Sequence, residues 1–337
     1  MYPHGTHLNK TKRSSRSLIH WEHKVKKLKV CFVGIGSIAK RHIRNLQAVC
    51  NSRGIDLYID AFRRKKESVD GADNIYDSPE DVPGDYDVIF ITNPTDMHLE
   101  SLKLFHDKGK HFFIEKPVVP LTQIVKAKSF ATRNDSVYYV AAPLRYNAVI
   151  QWIKNNISPE DVFSVRSISS SYLPEWRPGQ DYRDTYSAHK DMGGGVSIDL
   201  IHEWDYLTYL FGPPVQVQAM IGKKSNLEID SDDFAIYIAD YPDKIAELHL
   251  DYFGRKTIRE IQIFTEAETI IGDIANNQIH FSVTGKTLDF HEERDDYQKR
   301  ELIHFLEMIE RKTDIEDGYH HGIDLLQLTQ GRVPIKK

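Results

Sequence analysis

The stretch Val30–His42, VCFVGIGSIAKRH, combines a short apolar strand, a glycine turn and the start of a helix. Gly34 and Gly36 allow the backbone to turn tightly and to approach a ligand closely. Ser37 and Ile38 then open the helix, where free N–H groups and the positive end of the helix dipole favour a phosphate. The stretch therefore predicts a dinucleotide site, and an ordinary strand–helix turn of an α/β protein is the alternative.

Composition and charge limit the classes of protein to consider. The chain has 337 residues, of which 40 % are hydrophobic and 28 % charged, and its net charge is −5 at pH 7. This length suits two domains, and the mild acidity gives no general reason to expect nucleic acid or an anionic membrane as a partner. Two cysteines, Cys31 and Cys50, match no zinc spacing or disulfide framework, so we expect no metal and a cytoplasmic location.

The first 27 residues form a separate basic segment. Residues 1–29 hold eight Lys or Arg and one acidic residue, Glu22. The apolar core that a secretory signal requires does not follow them. We expect residues 1–27 to be a disordered arm, or a product of an upstream start codon, and a basic tail that touches a partner is the alternative.

Strand and helix patterns alternate between residues 28 and 145. This order favours a doubly wound parallel sheet, a Rossmann domain, with ligands at the carboxyl edge of its strands. The predicted strands are 28–34, 55–62, 87–92, 111–114 and 137–141, and the predicted helices are 37–51, 95–108, 120–133 and 146–156.

The pattern changes after about residue 158. A glycine-led helix is predicted at 194–211 and another helix at 295–311. The segments between them are strand-like without intervening helices, which indicates a large open, mostly antiparallel sheet. These segments are 215–222, 232–240, 244–252, 257–264, 268–273 and 278–283. We therefore expect a second, α+β domain at 146–337.

Four segments together resemble the Gfo/Idh/MocA family of NAD(P)-dependent oxidoreductases. They are the glycine turn, Ile91–His98 (ITNPTDMH), Gly109–Pro117 (GKHFFIEKP) and Gly193–Asp205 (GGGVSIDLIHEWD). The resemblance covers almost all of the chain beyond the arm. It implies hydride transfer between a nicotinamide and a hydroxyl or keto carbon of a sugar, amino sugar, nucleotide sugar or polyol.

The second segment ends a strand at the ligand edge of the sheet. Pro94 stops the strand ladder after Asn93 and opens a turn. The resemblance implies that this loop, with Asn93, Pro94 and His98, passes the cofactor ribose and nicotinamide. A plain strand terminator is the alternative.

Lys116 directly follows a buried apolar strand, where a charged group requires a partner or a function. The resemblance implies that Lys116 hydrogen-bonds the reacting hydroxyl and that Glu115 and Pro117 shape the turn beside the cofactor, with a Lys–Pro peptide that is often cis. A solvated lysine at a strand end is the alternative.

Asp199 and His202 are three residues apart on the predicted helix and share a face. We expect the carboxylate to orient the imidazole, and His202 to take the hydroxyl proton near neutral pH. Many family members separate the acid and the histidine by four residues, so the separate roles of Asp199 and His202 stay open. A buried histidine that satisfies a backbone group is the alternative.

Residues 176–190 are polar and aromatic without periodicity, as binding loops often are. Arg177 and Arg183 are candidates to hold a carboxylate or phosphate, and Tyr186 is a candidate to stack on a sugar. A weaker family-like segment, 143–147, adds Arg145 as a substrate-binding candidate. A solvent loop with incidental charge is the alternative.

The end of the second strand bears on the choice of cofactor. Asp60 would bind the ribose hydroxyls of NAD, whereas Arg63 and Arg64 would bind the 2′-phosphate of NADP. We expect a slight preference for NADP. The resemblance also implies a homodimer or homotetramer formed through the open sheet, whose large face is not left bare.

Two other functions stay open. A glycosidase-like enzyme would oxidise its substrate transiently and retain the nicotinamide without net turnover. A non-catalytic dinucleotide-binding regulator is less favoured, because Lys116 and His202 are both present.

Overall fold

The computed structural model describes residues 27–65, 67–311 and 318–334. The expected basic arm therefore lies outside the described residues, apart from Lys27, which begins the first strand. Among the helices described, none has the length and apolar character needed to cross a membrane.

A six-stranded parallel sheet occupies the first part of the chain and confirms the predicted Rossmann fold. Its strands are β1 (Lys27–Val33), β2 (Asp56–Phe62), β3 (Asn74–Tyr76), β4 (Tyr86–Ile91), β5 (Gly109–Ile114) and β6 (Tyr138–Val140). Its connecting helices are α1 (Ser37–Arg53), α2 (His98–Leu104) and α3 (Ile124–Lys128). The strand order β3-β2-β1-β4-β5-β6 reverses between β1 and β4, where doubly wound sheets bind their ligands.

Two of these helices are shorter than the sequence predicts. The helix predicted at 95–108 is replaced by a 3-10 turn, Thr95–Met97, followed by α2, which ends at Leu104. The α-helix does not begin earlier because Pro94 holds the chain extended at the start of the turn. The pattern 120–133 likewise yields a 3-10 turn, Leu121–Gln123, and the short α3. Strand β3 was not predicted, since three residues carry too little periodicity.

An eight-stranded sheet follows in the second part of the chain. Its strands are β7 (Val162–Tyr172), β8 (Gln216–Gly222), β9 (Phe234–Asp240), β10 (Ile245–Asp251), β11 (Phe253–Thr265), β12 (Thr269–Asp273), β13 (Gln278–Phe281) and β14 (Thr287–Asp289). The order is β14-β13-β12-β11-β7-β10-β9-β8, and β7–β10 is the parallel pair in an otherwise antiparallel sheet. The predicted open, mostly antiparallel sheet is confirmed.

Strand β7 lies at the centre of this sheet and was not predicted from the sequence. Its serines weaken the hydrophobic pattern, although Ser167, Ser169 and Ser170 are buried. The side chains of two of them find partners far along the chain, Ser167 at the Tyr206 hydroxyl and Ser170 at Asp251. The strand therefore has a polar sequence although these serine side chains are buried.

Helices also occur in the described residues of the second part of the chain. They are α4 (Ala148–Asn156), α5 (Val196–Asp199), α6 (Ile201–Phe211), α7 (Arg294–Arg311) and α8 (Gly318–Leu328). Helix α7 returns to the first sheet, where the ring of Phe305 lies 5.3 Å from that of Phe113 and 6.3 Å from that of Phe90. The two parts of the chain therefore share a core.

Candidate active site

The glycine turn forms an open cradle at the N-terminus of α1. Gly34 has a φ of +90°, and a Cβ atom there would lie 2.5 Å from the Cα atom of Asn93, so only glycine fits. A Cβ atom at Gly36 would meet nothing within 4 Å. Gly36 is the N-cap of α1 without a side-chain cap, and Ser37 is exposed. This cradle fits a dinucleotide pyrophosphate.

His98 connects two loops at the carboxyl edge of the first sheet, the loop at Asn93 and the loop at Pro117. Its Nδ1 atom lies 3.1 Å from the carbonyl oxygen of Pro117, and its Nε2 atom lies 2.9 Å from that of Asn93. The ring is 1 % exposed, and burial lowers the pKa of His98. The expected direct contact of His98 with the cofactor is therefore wrong, because its ring has no surface to offer. Pro94 is exposed at this edge.

Asp60 does not face the ribose position. Its carboxylate is buried within the sheet and accepts hydrogen bonds from the Tyr86 hydroxyl at 2.5 Å and the Asn74 amide at 3.0 Å. The suggestion that Asp60 selects NAD is therefore wrong. The end of β2 presents arginines instead: Arg63 pairs with Glu67 at 2.8 Å, and Arg64 approaches Met97.

Lys116 joins the two parts of the chain. The Lys116–Pro117 peptide is cis, and the Lys116 amine donates a hydrogen bond of 2.9 Å to the carbonyl oxygen of Asp199. Burial lowers the pKa of Lys116, while the charges of Asp199 and Glu115 oppose this shift. An amine with a lowered pKa is neutral in a larger fraction of molecules near neutral pH than an ordinary lysine, so it can act there as a base.

Glu115 connects this lysine to the cofactor helix. One oxygen of Glu115 lies 2.6 Å from His42 Nε2 of α1, and the other accepts the Lys116 backbone N–H at 3.2 Å. Burial alone would raise the pKa of Glu115, but the hydrogen bond and charge of His42 outweigh it and lower the pKa. His42 was not predicted as a site residue, and it is buried on the inward face of α1.

The expected pair of Asp199 and His202 does not form. The predicted helix is broken at Leu200, so that α5 ends at Asp199 and α6 begins one residue later. The Asp199 carboxylate accepts a hydrogen bond of 2.6 Å from the Tyr252 hydroxyl. The charge of Asp199 also raises the pKa of Tyr186.

His202 contacts Arg259 and Glu203 instead of Asp199. Its Nε2 atom lies 2.8 Å from a guanidinium nitrogen of Arg259 and 3.3 Å from a carboxylate oxygen of Glu203. Burial lowers the pKa of His202 to about 4, and the charge of Arg259 adds to the shift. The ring is therefore neutral and accepts a hydrogen bond from Arg259. The expectation of a histidine base titrating near neutral pH is wrong.

Glu203 explains the position of Arg259. Its carboxylate is fully buried and lies 2.9 Å from Arg259 Nε. Burial would raise the pKa of Glu203, but the charge of Arg259 holds it at about 2. The sequence signal was limited to an acid beside His202, since Arg259 comes from a distant strand.

Two predicted substrate arginines are already paired. Arg145 makes a bidentate ion pair with the buried Asp205, at 2.9 and 2.7 Å, and lines a cavity together with Lys116 and His202. Arg183 is exposed and pairs with Asp181 and Glu228. Local carboxylates thus already engage its donors, and binding of the substrate by Arg183 stays a prediction.

Arg177 and Tyr186 lie together at the site. The Arg177 guanidinium carbon lies 5.3 Å from the centre of the Tyr186 ring. Trp176 packs edge-on against Tyr252 with ring centres 5.1 Å apart. Lys116, Asp199, Tyr252 and Trp176 are thus connected by successive contacts.

Two models of known families match this chain. The model described as "Oxidoreductase family, NAD-binding Rossmann fold" matches residues 28–142, and "GFO/IDH/MocA C-terminal domain" matches residues 158–271.

Curated relatives are distant in sequence. The uncharacterized oxidoreductase YrbE of Bacillus subtilis is 24 % identical over 195 residues, 54 % of this chain and 53 % of its own length. Inositol 2-dehydrogenase of Rhizobium meliloti is 25 % identical over 193 residues, 56 % of each chain. The alignments span about half the length of these relatives.

Solved structures share the fold along most of the chain. Levoglucosan dehydrogenase in complex with NADH has a TM-score of 0.78 at 16 % identity, covering 90 % of this chain and 95 % of its own. UDP-N-acetylglucosamine 3-dehydrogenase from Acidithiobacillus ferrooxidans has a TM-score of 0.71 at 19 % identity, covering 91 % and 97 %. At such identities the likeness concerns the fold alone. From the two matching family models, this chain belongs to the Gfo/Idh/MocA family of oxidoreductases with an NAD-binding Rossmann fold.

Proposed function

We propose that the chain transfers a hydride between a nicotinamide cofactor and a hydroxyl or keto carbon of a sugar, amino sugar, nucleotide sugar or polyol. One observation carries the proposal. The amine of Lys116, with its lowered pKa, lies at the ligand edge of the Rossmann sheet and bonds the Asp199 carbonyl oxygen across 2.9 Å. Relatives named for inositol, levoglucosan and UDP-N-acetylglucosamine support the substrate range.

Residues of the glycine turn and of the two loops beside it hold the cofactor in this proposal. The N–H groups that follow Gly36, at Ser37 and Ile38, bind the pyrophosphate at the α1 N-terminus. Asn93 and Pro94 border the cofactor on one side and Glu115 on the other. When bound, the nicotinamide supplies the group that accepts or gives the hydride.

Lys116 carries the proton transfer in this proposal. In oxidation, its neutral amine accepts the hydroxyl proton, and in reduction its ammonium returns one. His202 is a positioning residue, because its Nε2 atom accepts a hydrogen bond from Arg259. Asp199, held by the Tyr252 hydroxyl, orients a substrate hydroxyl rather than the imidazole.

We also propose a slight preference for NADP over NAD. Asp60 is turned into the sheet, whereas Arg63 and Arg64 follow the end of β2, where a 2′-phosphate would lie. Measured dissociation constants should be lower for NADPH than for NADH. Arg63→Ala and Arg64→Ala should each reduce the ratio between these two constants. Equal or inverted affinities in the unmodified protein would refute the preference.

We further propose that a second copy of the chain covers the outer face of the eight-stranded sheet. This face exposes Met220, Ile236, Ile238 and Ile245, and Met220 lies directly opposite Ile236. A two-fold axis allows such a face to pack on itself. Light scattering should give the mass of a dimer or tetramer, and Ile238→Asp should reduce it. A monomeric wild-type protein contradicts this proposal.

The catalytic proposal is tested by following nicotinamide absorbance with a panel of sugars, polyols and sugar nucleotides. Net formation of reduced cofactor with at least one class is the expected result. Tightly retained nicotinamide with product formation but no net reduction would indicate the glycosidase-like alternative. Dinucleotide binding without conversion of any substrate would indicate a regulator.

A further inference from the structure

Lys116 lines a small inner cavity whose other walls are strand β6 and helices α6 and α8. The volume of this inner cavity is about 30 Å³, and His202, Asp205 and His321 are among the polar side chains that line it. A cavity of this size with several polar groups can hold a water molecule. The inner cavity therefore gives Lys116 polar surroundings other than the substrate.

Most polar groups of the inner cavity keep one charge state near neutral pH. Burial would raise the pKa of Asp205, but the charge of Arg145, which binds it at 2.9 and 2.7 Å, holds the pKa at about 2. Burial lowers the pKa of His202 to about 4 and raises that of Tyr139 well above its usual range. Among the described residues that line this cavity with Lys116, His321 is left, and imidazole is the side chain suited to take and release a proton in the neutral range.

His321 lies between the inner cavity and a second, larger one. Its Nε2 atom is buried and lies 3.5 Å from a carboxylate oxygen of Asp205, while the side chain as a whole is 38 % exposed. The outer cavity, which His321 also lines, has a volume of about 890 Å³. Its lining includes Val215, which is 58 % exposed, so the outer cavity opens to the surface. One imidazole therefore contacts both the space beside Lys116 and the space that reaches solvent.

Charged groups face this imidazole from several elements. Asp205 of α6 is the acid nearest to His321, and Asp324, one turn later on α8, lines the outer cavity. Arg145 and Lys154 line the outer cavity as cations, but Arg145 binds Asp205, and the Lys154 amine donates a hydrogen bond of 2.8 Å to a main-chain carbonyl oxygen. The Asp205 carboxylate, which stays ionised, can therefore orient the imidazole without taking the proton itself.

We propose that His321 receives the proton that Lys116 takes from the substrate hydroxyl and passes it to solvent. This inference rests on the proposed dehydrogenase function, in which oxidation leaves Lys116 as an ammonium. The ammonium gives its proton to water in the inner cavity as that water gives one to the imidazole, and the imidazolium then releases a proton to water in the outer cavity. Each transfer breaks one N–H or O–H bond and forms another, no electrons move, and Lys116 returns to the neutral amine.

The test follows proton release and cofactor reduction in the same stopped-flow experiment. The full chain is mixed in weak buffer with NADP⁺ or NAD⁺, a pH indicator and a probe substrate, which is myo-inositol, levoglucosan or UDP-N-acetylglucosamine. In the first turnover of the wild-type protein, the proton should appear at the same rate as reduced nicotinamide. With His321→Gln, proton release should lag behind reduction by about tenfold or more, because the proton stays on Lys116.

Two further variants separate proton transfer from a structural effect. Imidazole added to the solution should restore prompt proton release in His321→Ala, and it would not restore a misfolded protein. His320→Gln is the matched control, because His320 is the neighbouring residue of α8 and is not among the residues that line either cavity. It should release its proton as the wild type does. NADPH should bind all of these proteins equally well.

The outcomes distinguish this inference from the function on which it rests. If a probe is oxidised and His321→Gln releases its proton as promptly as the wild type, the exit through His321 is wrong and the dehydrogenase function stands. The same conclusion follows if the wild-type proton appears only after reduction, with product release. If no probe reduces the nicotinamide, the dehydrogenase function is wrong for these substrate classes, and the proton exit is wrong with it.

Discussion

The Lys116 amine is fixed by a main-chain oxygen, the carbonyl of Asp199, at a distance of 2.9 Å. This bond joins the carboxyl end of β5 in the first sheet to the end of α5 in the second part of the chain. A carbonyl cannot titrate, so it positions the amine without competing for its proton. Lys116 also lines a cavity together with Arg145, His202 and Asp205.

Glu115→Gln should move the pH profile of substrate oxidation to lower pH. Oxidation requires neutral Lys116, so its rate rises with pH through a pKa that burial lowers below the ordinary 10.5. The negative charge of Glu115 opposes this shift, and its removal lowers the pKa of Lys116 further. Rates measured across pH check this. An unmoved or upward-shifted profile would contradict the role given to Lys116.

Alanine should affect different properties at the two glycines of the turn, stability at Gly34 and cofactor binding at Gly36. Gly34→Ala should destabilise the protein, since its Cβ atom would lie 2.5 Å from the Asn93 backbone at a φ of +90°. Gly36→Ala should leave thermal stability unchanged, since its Cβ atom meets nothing within 4 Å, but should weaken NAD(P)H binding. Unaltered dinucleotide affinity in Gly36→Ala would place the pyrophosphate elsewhere.

Arg259→Met should be strongly destabilising. It leaves the buried Glu203 carboxylate without its cation, and removing one partner of a buried ion pair costs about 3–5 kcal/mol. The double variant Glu203→Gln with Arg259→Met should recover much of the loss, because no charge is left buried alone. Denaturant unfolding of the four proteins measures the coupling. Strictly additive losses would show that the pair is not coupled.

Glu301→Gln should stabilise the protein at neutral pH. Glu301 is fully buried and its carboxylate accepts the Ala142 N–H at 2.6 Å, while burial raises its pKa to about 8 from 4.5. Between these values the native state keeps a proton that the unfolded state loses, so wild-type stability falls as pH rises from 4.5 to 8.

Glutamine removes this pH-dependent loss, which amounts to roughly 3 kcal/mol at neutral pH. Unfolding free energies of the variant and the wild type should therefore converge near pH 4.5 and diverge above it. Curves that stay parallel across this range would mean that Glu301 is ionised in the native protein.

Local patterns predicted the parts of the site that depend on local backbone geometry. Gly34 and Gly36 were identified because a tight turn and an open helix start require glycine within a few residues of a strand. Lys116 was identified because a charge directly after a buried strand is unusual. These features need no knowledge of what else packs nearby.

Side-chain pairings were not predictable in the same way. Asp60 reaches Tyr86, His202 reaches Arg259, and Arg183 reaches Glu228, and each partner is many residues away along the chain. The break at Leu200 also has no signal in the apolar sequence around it.

The central claim is that a hydride moves between the nicotinamide and a substrate carbon at Lys116. The most direct measurement supplies NADPH or NADH deuterated at nicotinamide C4 with the keto form of the best substrate, and examines the product by mass spectrometry. We predict one deuterium on the product carbon with the wild-type protein. The Lys116→Met variant should bind the cofactor normally yet lose about a hundredfold or more in rate. Product formed by the wild type without the label, or at full rate by Lys116→Met, would contradict the account.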